Sequence, residues 1–289
     1  MKLIIISGRS GSGKSTALNV LEDHGYYCID NLPAGLLPPL LARIIRESVD
    51  LPRIAVSIDA RNISSDLKKV PEILNQLDRD NLSIDIIFLD ANSPTLIKRF
   101  SESRRKHPLT TQSIGLREAI NIERELLEPI AALSNLAIDT SNMTLHQLRD
   151  SIKTRVVEKK DNTLALLFES FAFKNGVPID ADIVFDVRCL PNPFWEPALR
   201  PMNGLDTQVA EFLAAHDIVQ EMYTDIHSYL SKWLPRFEAS NRSYITVALG
   251  CTGGQHRSVY LSERLKQAFA GSISNVQVLH RELADQISQ

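Results

Sequence analysis

The stretch Gly8-Arg-Ser-Gly-Ser-Gly-Lys-Ser15 follows an apolar run at residues 3–6 and opens a segment, 15–24, whose apolar residues recur at helical spacing. It matches G-x-x-x-x-G-K-[ST] at every position, and it lies between a strand and a helix as that motif requires. A strand that runs straight into a helix through such a loop implies a parallel sheet, because the helix packs back over the strand it leaves. The following residues keep that pattern. Strands are expected at 26–30, 53–59, 84–90 and 136–139, and a helix at 36–47. Strands apolar throughout are buried on both faces, and ligands of such sheets bind at the strands' carboxyl ends. Ser7, Gly8, Asp30, Asp59 and Asp90 all fall there.

The loop residues carry a specific chemistry. Glycines at this spacing turn successive N–H groups inward, where they cradle phosphate oxygens at the positive end of the helix dipole. The expected nucleotide site is Gly8, Arg9, Ser10, Gly11, Ser12, Gly13, Lys14 and Ser15. Lys14 would reach the β- and γ-phosphates of ATP or GTP, while Ser15 and Asp90 would hold Mg2+. Asp30 and Asp59 compete to orient a water or an acceptor hydroxyl. No Asn-Lys-x-Asp motif is present, so the choice between ATP and GTP is not legible. Arg99, Arg104 and Arg105 follow the fourth strand. They read either as a solvated helix face or as the lid of a small-molecule kinase.

Around residues 158–163 a short charged stretch interrupts the pattern, dividing the chain into a phosphate-loop NTPase domain, 1–157, and a smaller α/β domain, 163–289. The second half carries expected strands at 164–168, 183–187, 244–249 and 276–279, and helices at 209–216, 218–234 and 258–269. Four prolines within 190–201 make that segment irregular. A second Gly-rich turn, Gly250-Cys-Thr-Gly-Gly-Gln-His-Arg-Ser258, again joins a strand to a helix. Cys251 and Arg257 have the C-x5-R-[ST] spacing of cysteine phosphatases, in which a thiolate attacks phosphorus. The same residues also suit a non-catalytic anion site or a structural turn. The leading reading is an anion site of Cys251, Thr252, Gly253, Gly254, His256, Arg257 and Ser258. Arg188, Arg200 and Arg242 could line that cleft, and Trp195 and Trp233 are expected to pack.

Composition excludes several classes. The net charge of −3 gives no global basic field, so a nucleic acid could be held only by a local patch. Hydrophobic residues at 44% rule out wholesale disorder. Three dispersed cysteines without a CxxC pair argue against a disulfide framework, and no HExxH spacing points to a transition metal. With no membrane-length apolar run, a cytoplasmic protein is expected.

Five blocks together resemble the RapZ/YvcJ nucleotide-binding proteins: residues 7–15, Tyr27-Cys-Ile-Asp-Asn-Leu-Pro33, Ser57-Ile-Asp-Ala-Arg-Asn62, Val184-Phe-Asp-Val-Arg-Cys-Leu-Pro-Asn-Pro193 and residues 250–259. The resemblance implies slow hydrolysis of both ATP and GTP, with ATP on residues 8–15 and GTP on Asp59, Ala60, Arg61 and Asn62. For the enterobacterial members it also implies a glucosamine-6-phosphate sensor that presents small regulatory RNAs to an endoribonuclease; separately, a homo-oligomer is expected. RNA contacts would fall to Arg264, Lys266 and Arg281. Two departures stand out. The tail from Arg281 is net acidic where adapters are basic, which weakens phosphate contacts. Phe194 stands where adapters with the sugar-phosphate site carry a histidine, and it cannot hydrogen-bond a sugar. Slow nucleotide hydrolysis under a regulatory C-terminal domain is therefore the leading expectation, with the RNA adapter and the small-molecule kinase as alternatives.

Overall fold

A computed structural model describes residues 1–46, 53–62, 64–77, 82–103, 105–159, 163–240 and 242–283. The chain divides into two compact units, Met1–Glu158 and Lys159–Gln289.

The first unit is built on strands β1 (Lys2–Gly8), β2 (Tyr27–Ile29), β3 (Arg53–Ser57), β4 (Ser83–Asp90) and β5 (Leu136–Asp139). They pair in the order β2-β3-β1-β4-β5, every pair parallel. Leu3, Ile4, Ile5 and Ile6 are fully buried, so the central strand is apolar on both faces. Each such side chain contributes about 1.5–3 kcal/mol of burial. The helices are α1 (Lys14–Asp23), α2 (Leu37–Arg46), α3 (Ser64–Lys68), α4 (Val70–Asn75), α5 (Ser93–Ser103), α6 (Leu116–Ala131) and α7 (Leu145–Ile152). Thr144 and Gln147 form a reciprocal capping box at the start of α7.

Strand limits differ from the sequence expectation by one or two residues, so Asp30 and Asp59 lie just beyond their strands. The helix expected at 36–47 starts with a 3-10 turn, Ala34–Leu36, and Glu47 lies outside the described residues. After β1 the chain builds outward to β2 and returns through β3, then crosses to the other side of β1 to form β4. That reversal of strand order opens a crevice at the carboxyl ends of β3, β1 and β4. Gly8 stands at its floor with φ 138°, and a Cβ there would overlap the Leu89 carbonyl of β4.

The second unit carries β6 (Ala165–Ala172), β7 (Ile183–Asp186), β8 (Tyr244–Cys251) and β9 (Asn275–His280) in the order β7-β8-β6-β9, again all parallel. Helices α8 (Thr207–Ala214), α9 (Asp217–Ala239) and α10 (Arg257–Phe269) cover it. The helix expected to stop at Leu234 runs on through Pro235. Leu230 and Leu234 are almost wholly buried in the unit's core, and their burial offsets the hydrogen bond that proline cannot make. Among the described residues no helix is long and apolar enough to cross a membrane. Nor do those residues include a group of three or more His, Cys, Asp or Glu side chains that could hold a metal ion.

Candidate functional site

The phosphate loop hangs between β1 and α1, with α1 entered through Gly13 at φ 106°. Side chains from four later elements brace it. Arg9 Nε donates to Asp90 Oδ1 at 2.6 Å, and the same guanidinium reaches Ser93 Oγ and the Ala91 carbonyl. Ser10 gives both its main-chain N–H (2.9 Å) and its hydroxyl (2.6 Å) to the carboxylate of Glu123 on α6. Arg99 of α5 donates to the Gly11 carbonyl at 2.9 Å and to Thr140. The Thr140 hydroxyl contacts the Ser12 carbonyl at 3.0 Å. Nothing local in residues 8–15 announced these partners; sequence reasoning missed Glu123, Thr140 and His107.

Lys14 is buried and donates from Nζ to the carbonyls of Gly8 (2.8 Å) and Arg9 (3.2 Å). Burial pushes its pKa down, while the charges of Asp59 and Glu123 oppose the shift. Asp59 Oδ2 lies 3.9 Å from Lys14 Nζ, and the Asp59 side chain is almost entirely enclosed. Burial alone would raise the Asp59 pKa, but hydrogen bonds from Arg61 and the charge of Lys14 hold it below the usual carboxylate range. Arg61 grips Asp59 through Nε and Nη2 and reaches Asp30 at 3.4 Å. Asp30 accepts the Ser57 hydroxyl at 2.5 Å, and Asn62 receives the Ala34 N–H at 2.8 Å. The Ser7 and Ser12 hydroxyls are buried without a protein partner. Ser15 is exposed at the first turn of α1.

The two segments expected for ATP and for GTP thus meet at the Lys14–Asp59 contact. Asp90, expected with Ser15 as a Mg2+ ligand, receives Arg9 Nε and the Ala91 N–H on Oδ1. Asp59, just beyond the strand paired with the other edge of β1, stands next to the loop lysine. Arg105 is exposed, and Arg104 lies outside the described residues.

In the second unit, the turn after β8 closes on itself. The Cys251 thiol is buried, takes the Gly254 N–H at 3.2 Å and lies 3.2 Å from Ser258 Oγ. Arg257 donates to the carbonyls of Arg188 (2.7 Å) and Leu190 (3.0 Å), and its Nη2 lies 3.4 Å from Thr252 Oγ1. Its Nε is buried without a partner. His256 contacts the Leu199 carbonyl at 3.3 Å, and burial lowers its pKa. The proline-rich segment is therefore tied to this turn at both ends. Thr252 is exposed and Gly253 half-exposed in the turn that leads into α10.

Other expected residues have different surroundings. Arg188 pairs with Asp186, Arg242 with Asp182, and Arg200 lies over the Phe194 ring. Trp195, expected to pack, is 72% exposed, because its short 3-10 turn points it off the unit. Trp233 packs against Tyr229 and Arg236. The three cations assigned to RNA are each engaged: Arg264 stacks on Tyr223 and bonds Gln220, Lys266 faces Glu263, and Arg281 faces the buried Glu169.

Comparison with known proteins matches both halves of the chain to family models. Residues 1–160 match the RapZ-like N-terminal domain, and residues 164–284 match the RapZ C-terminal domain. A Pseudomonas fluorescens protein named nucleotide-binding protein is 59% identical over 285 residues, covering 98% of this chain and 100% of its own. A protein of the same name from Ectopseudomonas mendocina is 58% identical over 285 residues, with the same coverage. Among solved structures, a sugar kinase from Janibacter shares 17% identity at a TM-score of 0.38, covering 53% of this chain and 93% of its own. Shikimate kinase from Bacteroides thetaiotaomicron shares 13% at 0.34, with coverages of 52% and 94%. With both halves matched, and with a full-length relative at this identity, the chain belongs to the RapZ family of nucleotide-binding proteins.

Proposed function

We propose that the first unit binds ATP and GTP at one shared site and hydrolyses them slowly, and that the second unit holds a sugar phosphate. The observation that carries the nucleotide reading is the Lys14–Asp59 contact of 3.9 Å. Two triphosphates centred on Gly8–Ser15 and on Asp59–Asn62 would bring several negative charges within a few ångströms of each other. At about 5 Å each charge pair repels by about 3 kcal/mol at an effective dielectric near 20. One nucleotide spanning both segments avoids that cost.

In this reading the loop amides and Lys14 hold the phosphates, and the buried Ser12 hydroxyl turns to an oxygen it otherwise lacks. Ser15, exposed at the first turn of α1, and a carboxylate at the strand ends beside the loop, Asp59 or Asp90, would hold Mg2+. When bound, Mg2+ neutralises charge on the β- and γ-phosphates. Lys14 stabilises the charge that develops as water attacks the γ-phosphorus in line. Turnover is slow because the nearby arginines are spent on protein partners: Arg9 on Asp90, Arg61 on Asp59, and Arg99 on Gly11 and Thr140. Supplying such an arginine to the transition state is typically worth a factor of about 10³–10⁵.

The sugar-phosphate reading of the second unit rests on the turn Thr252–Gly253, exposed or half-exposed on the way into α10, with Arg257 Nη2 3.4 Å from Thr252 Oγ1. The buried thiol, capped by Gly254 and Ser258, supports a structural role for Cys251 over a nucleophilic one.

Competition tests the shared site. A fluorescent ATP analogue on the full chain should be displaced completely by GTP, with one nucleotide bound per chain. Lys14→Ala should weaken both by at least about a hundredfold. Two equivalents bound, or ATP analogue that persists under saturating GTP, refutes it.

A further inference from the structure

Glu123 lies in the middle of α6, 113 residues from Ser10 in sequence, yet its side chain is wholly buried against the phosphate loop. Its Oε2 accepts the Ser10 N–H at 2.9 Å and His107 Nε2 at 2.9 Å, and its Oε1 accepts the Ser10 hydroxyl at 2.6 Å. His107 is equally enclosed. The Leu109 N–H donates to His107 Nδ1 at 3.2 Å, so that nitrogen carries no hydrogen and Nε2–H is the donor toward Glu123. The imidazole ring thus holds the carboxylate from behind while the carboxylate holds Ser10 from in front. Burying a carboxylate is costly unless hydrogen bonds compensate it, and here three donors converge on one group.

Resting on the nucleotide reading above, we infer that Glu123, oriented by His107, is the positioning residue of the phosphate loop, fixing Ser10 so that the amides that follow face a bound triphosphate. Removing the carboxylate would orphan the Ser10 N–H and the His107 N–H in a dry site. The loop would then rotate to recover those bonds, and its nucleotide-binding geometry would be lost. The carboxylate has a second effect through space. It is one of the charges that keep Lys14 protonated against burial, after the larger contribution of Asp59.

Glu123→Gln separates shape from charge. The glutamine oxygen in place of Oε2 still accepts from Ser10 N–H and His107, and its NH2 in place of Oε1 donates to the Ser10 hydroxyl. Glu123→Ala removes both shape and charge. Each full-length variant would be titrated with a fluorescent ATP analogue and Mg2+ across neutral to alkaline pH, with calorimetric melting as the control for folding. Expected results are a loss of about tenfold or more in affinity for Glu123→Ala, and affinity within about threefold of wild type for Glu123→Gln near neutrality. The Gln variant should lose nucleotide at a lower pH than wild type, because Lys14 gives up its proton sooner; a merely structural Glu123 would leave that profile unmoved. A folded Glu123→Ala protein that binds like wild type overturns the inference. So does an unshifted pH profile for Glu123→Gln, which remains decisive if the alanine variant fails to fold. Failure of the wild-type chain to bind nucleotide would instead overturn the reading of the loop itself.

Discussion

Replacing Asp59 by asparagine keeps the shape of the site and removes one charge, which makes it a quantitative probe of the Lys14 environment. The two groups lie 3.9 Å apart with side-chain exposures of 9% and 3%, so solvent screens them little. At that separation two unit charges attract by about 4 kcal/mol at an effective dielectric near 20. Breaking a buried pair from one side typically costs about 3–5 kcal/mol. Lys14 would keep the carbonyls of Gly8 and Arg9 and the influence of Glu123, and the Arg61 pair lost with the charge is half-exposed on the arginine side, so the expected loss is about 2–3 kcal/mol. In a unit of this size that lowers the melting point by about 5–10 °C.

The pH dependence has a definite sign. The folded Asp59 pKa is lowered, so its contribution is present above the ordinary carboxylate range and disappears as pH falls through the folded value. The Lys14 pKa is lowered as well, and further in the variant. The cost of burying its charge is therefore relieved earlier in the variant as pH rises. The stability gap should be widest near neutrality and narrow on both sides, the Arg61–Asp59 pair keeping part of it at alkaline pH. Scanning calorimetry of the full chain reads it out, because Trp195 and Trp233 both belong to the second unit and their emission marks that unit's transition. A first-unit transition within about 1 °C of wild type at neutral pH, or a gap constant across the pH range, would refute the reasoning.

Two predictions concern the second unit. Glucosamine 6-phosphate should change Trp195 emission saturably, since the proline-rich segment carrying it is tied to the turn through Leu190 and Leu199. Glucosamine alone should not, and the absence of any saturable signal up to about 10 mM would remove the sugar-phosphate reading. Burial lowers the pKa of both His256 and His280, so both rings are neutral in the fold. Stability of this unit should then be full above their unfolded value of about 6.5 and fall as pH drops toward the folded values. Glu282, raised by burial, titrates in the opposite sense, so melting is best followed in a Glu282→Gln background. Unchanged or increased stability at about pH 5 in that background would count against the assignment.

Much of the first unit could be read directly from the sequence, because its signals are local. The loop Gly8–Ser15 declares itself by spacing, and apolar strands alternating with helices declare a parallel sheet buried on both faces. The family resemblance was equally readable, since it rests on short blocks in order. Helices α3 and α4 are too short to carry a periodic signal, whereas α6 places Ala119, Ile120, Leu127 and Ile130 at helical spacing, a signal present in the sequence but missed. Strand order was also hidden. Asp59 and Asp90 look alike in sequence, each closing an apolar run, and only the pairing of β3 and β4 with opposite edges of β1 decides which one meets Lys14. Likewise Arg99, Arg264 and Arg281 read as free cations until folding supplies Thr140, Tyr223 and Glu169. Periodicity and turn chemistry act over a few residues and survive in a linear reading. Hydrogen bonds such as Ser10 to Glu123 join residues more than a hundred positions apart, and only the tertiary fold decides which of many equally plausible partners they find.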